Sequence, residues 1–104
     1  MPKVAVLAKM TAKEGQGQAL AELMRDRLLP AVQQEGGTEI YSLHQDAANA
    51  DIVWVFELYR DNDALKVHSG SDAMKAVGPD LGPLLAGRPE LYLLNPFVAK
   101  GLDL

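Results

Sequence analysis

The chain contains no cysteine. Disulfides, thiolate catalysis and Cys-ligated zinc or iron–sulfur clusters are therefore excluded. It also lacks any run of basic residues, and its formal net charge is -4. A protein that grips a nucleic-acid backbone needs a dense Lys/Arg face, so no nucleic-acid partner is expected. Long apolar runs are missing too. The stretch MPKVAVLAKMT is too short to span a membrane and has no signal-peptide cleavage site, which leads us to expect a cytoplasmic protein with no membrane partner. The only histidines are His44 and His68. No carboxylate stands at a ligand spacing from either, so no metal is expected. There is no internal repeat, linker or low-complexity segment.

What is present fits one small folded unit. A length of 104 residues predicts a single domain over 1–104. Apolar residues make up 48% and charged residues 23%, a balance typical of globular chains rather than disordered ones. A domain of this size has a poor surface-to-volume ratio, and pairing with a second copy would bury more apolar surface.

Periodicity predicts four strands and two helical regions. Lys3 to Met10 alternates Val4, Val6, Ala8 and Met10 with Ala5, Leu7 and Lys9, and both faces are largely apolar. Thr11 and Glu14 have the spacing of a capping box, weakened by Gly15 and Gly17. Gln18 to Gln34 reads as an amphipathic helix, with Pro30 expected to kink or split it and Gly36–Gly37 to end it. Thr38 to Gln45 and Ile52 to Tyr59 read as strands joined by the polar turn DAANAD. In the second of these, Ile52, Trp54, Phe56 and Leu58 form an apolar face. We expect Trp54 and Phe56 to pack under a helix, with Glu57 and Tyr59 on the other side. Asp61 is a good N-cap for a short helix carrying His68, and Ser71 or Asp72 can cap a second piece. Gly78–Pro79 is expected to break that piece. Glu90 to Lys100 is the last strand, with Pro96 at an edge.

The order β–α–β–β–α–β is that of an α+β, ferredoxin-like fold with one antiparallel sheet. Its helices cover one face only, yet the strands are apolar on both. The simplest cover for the open face is the same face of a second subunit, which predicts a homodimer with a cavity between two sheets.

The segment GGTEIYSLHQD, followed by DIVWVFELYRDNDALKVHSGS, resembles the antibiotic biosynthesis monooxygenase domain family. The shared positions are Gly37, Tyr41, Glu57, Tyr59, Asp61, Ala64 and His68, and the likeness extends over nearly the whole chain. The resemblance implies a dimeric α+β barrel. It also implies, for some members, oxygenation of small aromatic or quinol-like compounds with no cofactor. Other members degrade haem, isomerise a small carbonyl signal or have no known activity. The haem-degrading branch resembles this chain at His68 but carries Asn and Trp where Ala8 and Tyr59 stand here.

Several residues have both a chemical and a plain structural reading. Imidazole titrates near neutrality, so His68 suits a general base; it could equally tie helix to sheet through Glu57. A buried Glu57 must be paired or protonated, and a raised pKa would suit proton transfer. Tyr41, Tyr59 and Tyr92 offer flat surface with a polar tip to an aromatic substrate, and are also common strand residues. Asn95 could orient a carbonyl or simply sit in a turn. The leading expectation is a cofactor-independent monooxygenase. Alternatives are an isomerase or degrading enzyme for a small carbonyl metabolite, and a non-catalytic dimeric binding or stress-response module.

Overall fold

The computed structural model describes residues 2–104. Its elements run β1 (Val4–Thr11), α1 (Gly17–Leu23), a π-helical turn (Met24–Leu28), α2 (Leu29–Val32), β2 (Thr38–Gln45), β3 (Ile52–Tyr59), α3 (Asn62–Ser69), α4 (Asp72–Leu81), a short 3-10 turn (Gly82–Leu84) and β4 (Glu90–Leu94). The sheet order is β2-β3-β1-β4, with every neighbouring pair antiparallel. This is the ferredoxin-like arrangement expected from the sequence. Among the described residues, no helix is long and apolar enough to cross a membrane.

The face that carries the helices is the opposite of the one expected. In register, Val6 faces Glu57, Ala8 faces Val55 and Met10 faces Val53. Leu20, Met24 and Leu28 of the first helical run pack onto Ala8, Met10, Val53 and Val55, together with Val77 and Leu81 of α4. Trp54 and Phe56 point the other way and are half-buried. The cause is topological. β1 and β2 run in the same direction with β3 between them, and such a crossover has a preferred hand. The hand, rather than relative hydrophobicity, selects the face the helices cover. On the uncovered face, Ala5 and Leu58 are buried and share a groove with Leu102 and Leu104 of the C-terminal tail.

Four local expectations also change. Thr11 lies in β1 rather than capping a helix. α1 starts at Gly17 and is capped from a distance: Asp51 accepts from the Gly15 and Gly17 amides at 3.1 and 3.0 Å. Pro30 leaves the run helical but interrupts its α pattern, dividing it into α1 and α2 around the π turn. It has no N–H to offer the Asp26 carbonyl, and the preceding turn widens so that the Leu29 N–H bonds the Met24 carbonyl instead. α4 continues through Gly78–Pro79, where the helix is exposed and water can satisfy the freed carbonyl. β4 ends at Leu94, short of the expected Lys100, because the chain leaves the sheet before Pro96.

Candidate functional site

The polar residues of the helix-covered face meet at one end of the sheet. β2 and β3 place Tyr41 opposite Glu57. Glu57 Oε1 accepts a short hydrogen bond from the Tyr59 hydroxyl. α3 brings His68 in from above. Its start is fixed by Asp61, which accepts from the Ala64 amide at 2.9 Å. Its close seat on the start of β2 depends on Gly37, where an added Cβ would lie 2.5 Å from that of Ala64.

This approach sets His68 against Glu35, in the loop after α2. His68 Nδ1 lies 2.8 Å from Glu35 Oε1, and the same oxygen accepts from the Thr38 hydroxyl at 2.8 Å. His68 Nε2 lies 3.9 Å from Glu57 Oε1, beyond hydrogen-bonding reach. The rings of Tyr41 and Tyr59 flank the imidazole at 5.3 and 5.5 Å. His68 and Glu57 are only 4% and 6% exposed.

Among the described residues, no fully buried side-chain N or O lacks a hydrogen-bond partner. His68 Nε2, Glu57 Oε2 and the Tyr41 hydroxyl make no hydrogen bond inside the chain, so each must keep some accessible surface. All three residues line a cavity of about 430 Å3. Val6, Ala8 and Val55 form its sheet floor. Met24 and Leu28 of the π turn, with Met74, Val77, Gly78 and Gly82 at α4, form the helical wall. Leu91, Leu93 and Pro89 border it along β4, where Leu91 and Leu93 are exposed. No Lys or Arg lines it.

Burial dominates the electrostatics. It raises the Glu57 carboxyl above its usual range, opposed by the Tyr59 hydrogen bond and by His68. It raises the Tyr41 phenol as well, reinforced by the carboxylates of Glu57 and Glu35. Tyr59 is raised by burial and then by its hydrogen bond to Glu57. Tyr41 is thus held as a neutral donor beside an imidazole whose other nitrogen is already engaged.

Of the residues singled out from the sequence, Tyr41, Glu57 and His68 converge on the cavity, with Tyr59 fully buried and bonded to Glu57. Tyr92 and Asn95 lie elsewhere. Tyr92 pairs with Leu7 on the uncovered face and donates to Glu90 at 3.0 Å. Asn95 borders the groove with Phe56 and Leu58. This cavity lies between the sheet and the helices of the same chain. Sequence reading passed over Glu35. The one available signal was an acidic residue directly before the Gly36–Gly37 pair, which must pin the loop there.

Comparison with known proteins agrees with this architecture. No curated protein matches the chain in sequence. A candidate antibiotic biosynthesis monooxygenase of Caulobacter crescentus superposes with a TM-score of 0.85 at 28% identity, over 93% of this chain and 92% of that one. A Mycobacterium tuberculosis protein superposes at 0.82 with 28% identity, over 93% and 97% of the two chains. A conserved protein of Methanosarcina mazei does so at 0.83 with 26% identity, over 91% and 93%. The family model described as antibiotic biosynthesis monooxygenase matches residues 3–78. On that match the chain belongs to the antibiotic biosynthesis monooxygenase family.

Proposed function

We propose that the protein is a cofactor-independent monooxygenase for a small, uncharged, hydroxylated aromatic of the quinol type. One observation carries the reading: His68 lines an apolar cavity with its Nδ1 tied to Glu35 and its Nε2 free of any hydrogen bond within the chain. That arrangement favours the tautomer with its proton on Nδ1 and a lone pair on Nε2. Nε2 takes the proton of a ring hydroxyl, and the imidazolium so formed sits between Glu35 and Glu57. Tyr41 donates to the resulting phenolate. The electron-rich ring transfers an electron to oxygen, and recombination at a ring carbon gives a peroxide. Protonation from His68 and loss of the ring-carbon proton then release water and leave a quinone. One oxygen atom ends in the product and the other in water. The cavity supplies orientation and a mostly apolar lining.

Oxygen uptake with a panel of hydroquinones tests the reading. Uptake that matches a His68→Ala control would sink it. A second reading is isomerisation or breakdown of a small carbonyl compound, favoured by the raised pKa of Glu57 next to an imidazole. It predicts turnover under strict anaerobiosis.

The proposal takes 1–104 as one domain acting in the cytoplasm as a homodimer through the uncovered face. Support for the dimer is the exposed apolar surface at Tyr92 and Leu94 on that face and at Phe97 and Val98 beyond it. A monomeric mass in sedimentation at micromolar concentration would remove that part alone.

A further inference from the structure

We propose that Tyr41 and the acid form of Glu57 make a two-donor cradle for an oxyanion at the His68 end of the cavity, with Tyr59 holding the Glu57 proton on Oε2. The inference deepens the proposed reaction and rests on the cavity being its ligand site.

The placement follows from the sheet. Tyr41 and Glu57 are register partners on β2 and β3, so their side chains stand next to each other on the helix-covered face. Both line the cavity with His68, whose ring centroid lies 5.3 Å from that of Tyr41. The two carboxyl oxygens of Glu57 are not equivalent. Oε1 accepts from the hydroxyl of Tyr59, a fully buried residue whose hydroxyl makes no other hydrogen bond. A proton on Glu57 therefore belongs on Oε2. Glu57 is buried, yet Oε2 keeps accessible surface and has no hydrogen-bond partner in the chain. An acid there offers one O–H, and the Tyr41 phenol offers a second.

Charge decides which form of Glu57 fits. The groups that face it are Tyr59 on its own strand, Tyr41 on β2, His68 on α3 and Glu35 in the loop after α2. No Lys or Arg lines the cavity to hold a carboxylate. His68 Nε2 lies 3.9 Å from Oε1, too far for a hydrogen bond, and His68 Nδ1 is engaged by Glu35. A phenolate formed beside Oε2 is repelled by a carboxylate and stabilised by a carboxylic acid. Burial acts in the same direction, raising the Glu57 carboxyl above its usual range. The ligand proton passes to His68 Nε2. The oxygen left behind accepts from Tyr41 and from Glu57, and Glu57 keeps its own proton.

A competing account leaves Glu57 ionised, as a second counter-charge to the His68 imidazolium. Glu57→Gln separates the two. Its carbonyl takes the Tyr59 hydrogen bond, because that hydroxyl has no other acceptor, and its NH2 then stands where the Oε2 proton stood. The probe is 4-nitrophenol, which is coloured only as the phenolate, titrated at a pH where the free phenol is un-ionised. Bound to the wild-type protein it should show the phenolate band. Glu57→Gln should keep that band and an affinity within about threefold of wild type, since a neutral donor remains. Its affinity relative to wild type should hold or rise with pH, because only the wild-type side chain can ionise. Tyr41→Phe should lose about tenfold in affinity and most of the band, and so should E57L/Y59F, which removes the Glu57 donor without orphaning the Tyr59 hydroxyl. A loss of about tenfold in Glu57→Gln overturns the inference in favour of the counter-charge. So does a relative affinity that falls with pH, an unchanged band in E57L/Y59F, or a wild-type protein that leaves the probe colourless or unbound. If E57L/Y59F does not fold, Glu57→Gln and its pH dependence decide alone. If the cradle behaves as stated but hydroquinones consume no oxygen, the monooxygenase reading fails and the cradle stands. Oxygen uptake by a protein that leaves the probe colourless removes the cradle and keeps that reading.

Discussion

Replacing Glu35 with Gln isolates the charge behind His68. Gln is nearly isosteric, and its carbonyl can still accept from His68 Nδ1 at the observed 2.8 Å. What disappears is the negative charge that stabilises an imidazolium. A hydrogen bond to an ionised group contributes roughly 1.5–3 kcal/mol, about twice a neutral one. The difference, on the order of 1.5 kcal/mol, corresponds to about a tenfold loss in the rate of proton abstraction. Tenfold is a lower limit, because the Gln amide can also turn its NH2 toward Nδ1 and place the proton on Nε2, which removes the base. Substrate contacts are left alone, so kcat for a hydroquinone should fall while KM stays within about twofold of wild type. Glu35→Ala should do more, since it leaves Nδ1 buried without an acceptor and costs about 1–3 kcal/mol of stability. Thr38→Val, which removes only the hydroxyl bonded to Glu35, should lower kcat by less than Glu35→Gln. Oxygen-electrode kinetics and urea unfolding of the three variants provide the measurements. If Glu35→Gln retains full kcat where His68→Ala has none, Glu35 does not act through His68 and the argument from tautomer control is wrong.

Three further outcomes follow from the same site. Burial places the Glu57 pKa above its unfolded value, so native protein holds that proton more tightly. The associated stability is fully present below the unfolded value of about 4.3 and is lost as pH rises through the folded value. Glu57→Gln, neutral throughout, should gain on wild type in urea unfolding as pH rises above about 4.3; a gap that does not change with pH contradicts this. Of the three tyrosines, Tyr41 and Tyr59 are strongly raised by burial. They should therefore remain protonated beyond about pH 10, the unfolded value, with stability falling as pH climbs past it. Tyr92 is raised too, by its hydrogen bond to Glu90, but it is exposed and should ionise first in absorbance near 295 nm, and Tyr92→Phe should abolish that first phase. Gly37→Ala would push a methyl group to 2.5 Å from Ala64 Cβ. The overpacking should cost about 1–3 kcal/mol and lower kcat by moving α3 and His68 away from Glu35, as thermal melts and oxygen uptake would register.

Element order and motif spacing were legible because they depend on local chemistry. Period-2 alternation marks β2 and β3 at their observed bounds, and Asp61 and Ser71 cap α3 and α4 through contacts three residues away. What depends on distant residues was not legible. The α1 start is held by Asp51 across 34 positions of sequence, and nothing in the local capping pattern points there. Glu35 is 33 positions from His68 and becomes its partner only because Gly37 lets α3 settle against β2.

The inverted sheet face is the most instructive case. Ile52, Trp54, Phe56 and Leu58 look like core by composition, whereas Glu57 and Tyr59 stand on a mixed face. Crossover handedness nevertheless puts the helices over the valines and the carboxylate. That burial is tolerable because Tyr59 donates to Glu57 and His68 stands beside it. The polar end of the face is therefore a buried cluster with atoms left over. Those spare atoms, rather than the motif that led to them, give the cavity its capacity for chemistry. The surplus of apolar surface on the uncovered face is a separate matter, which hydrophobic patterning by itself could not distinguish from core.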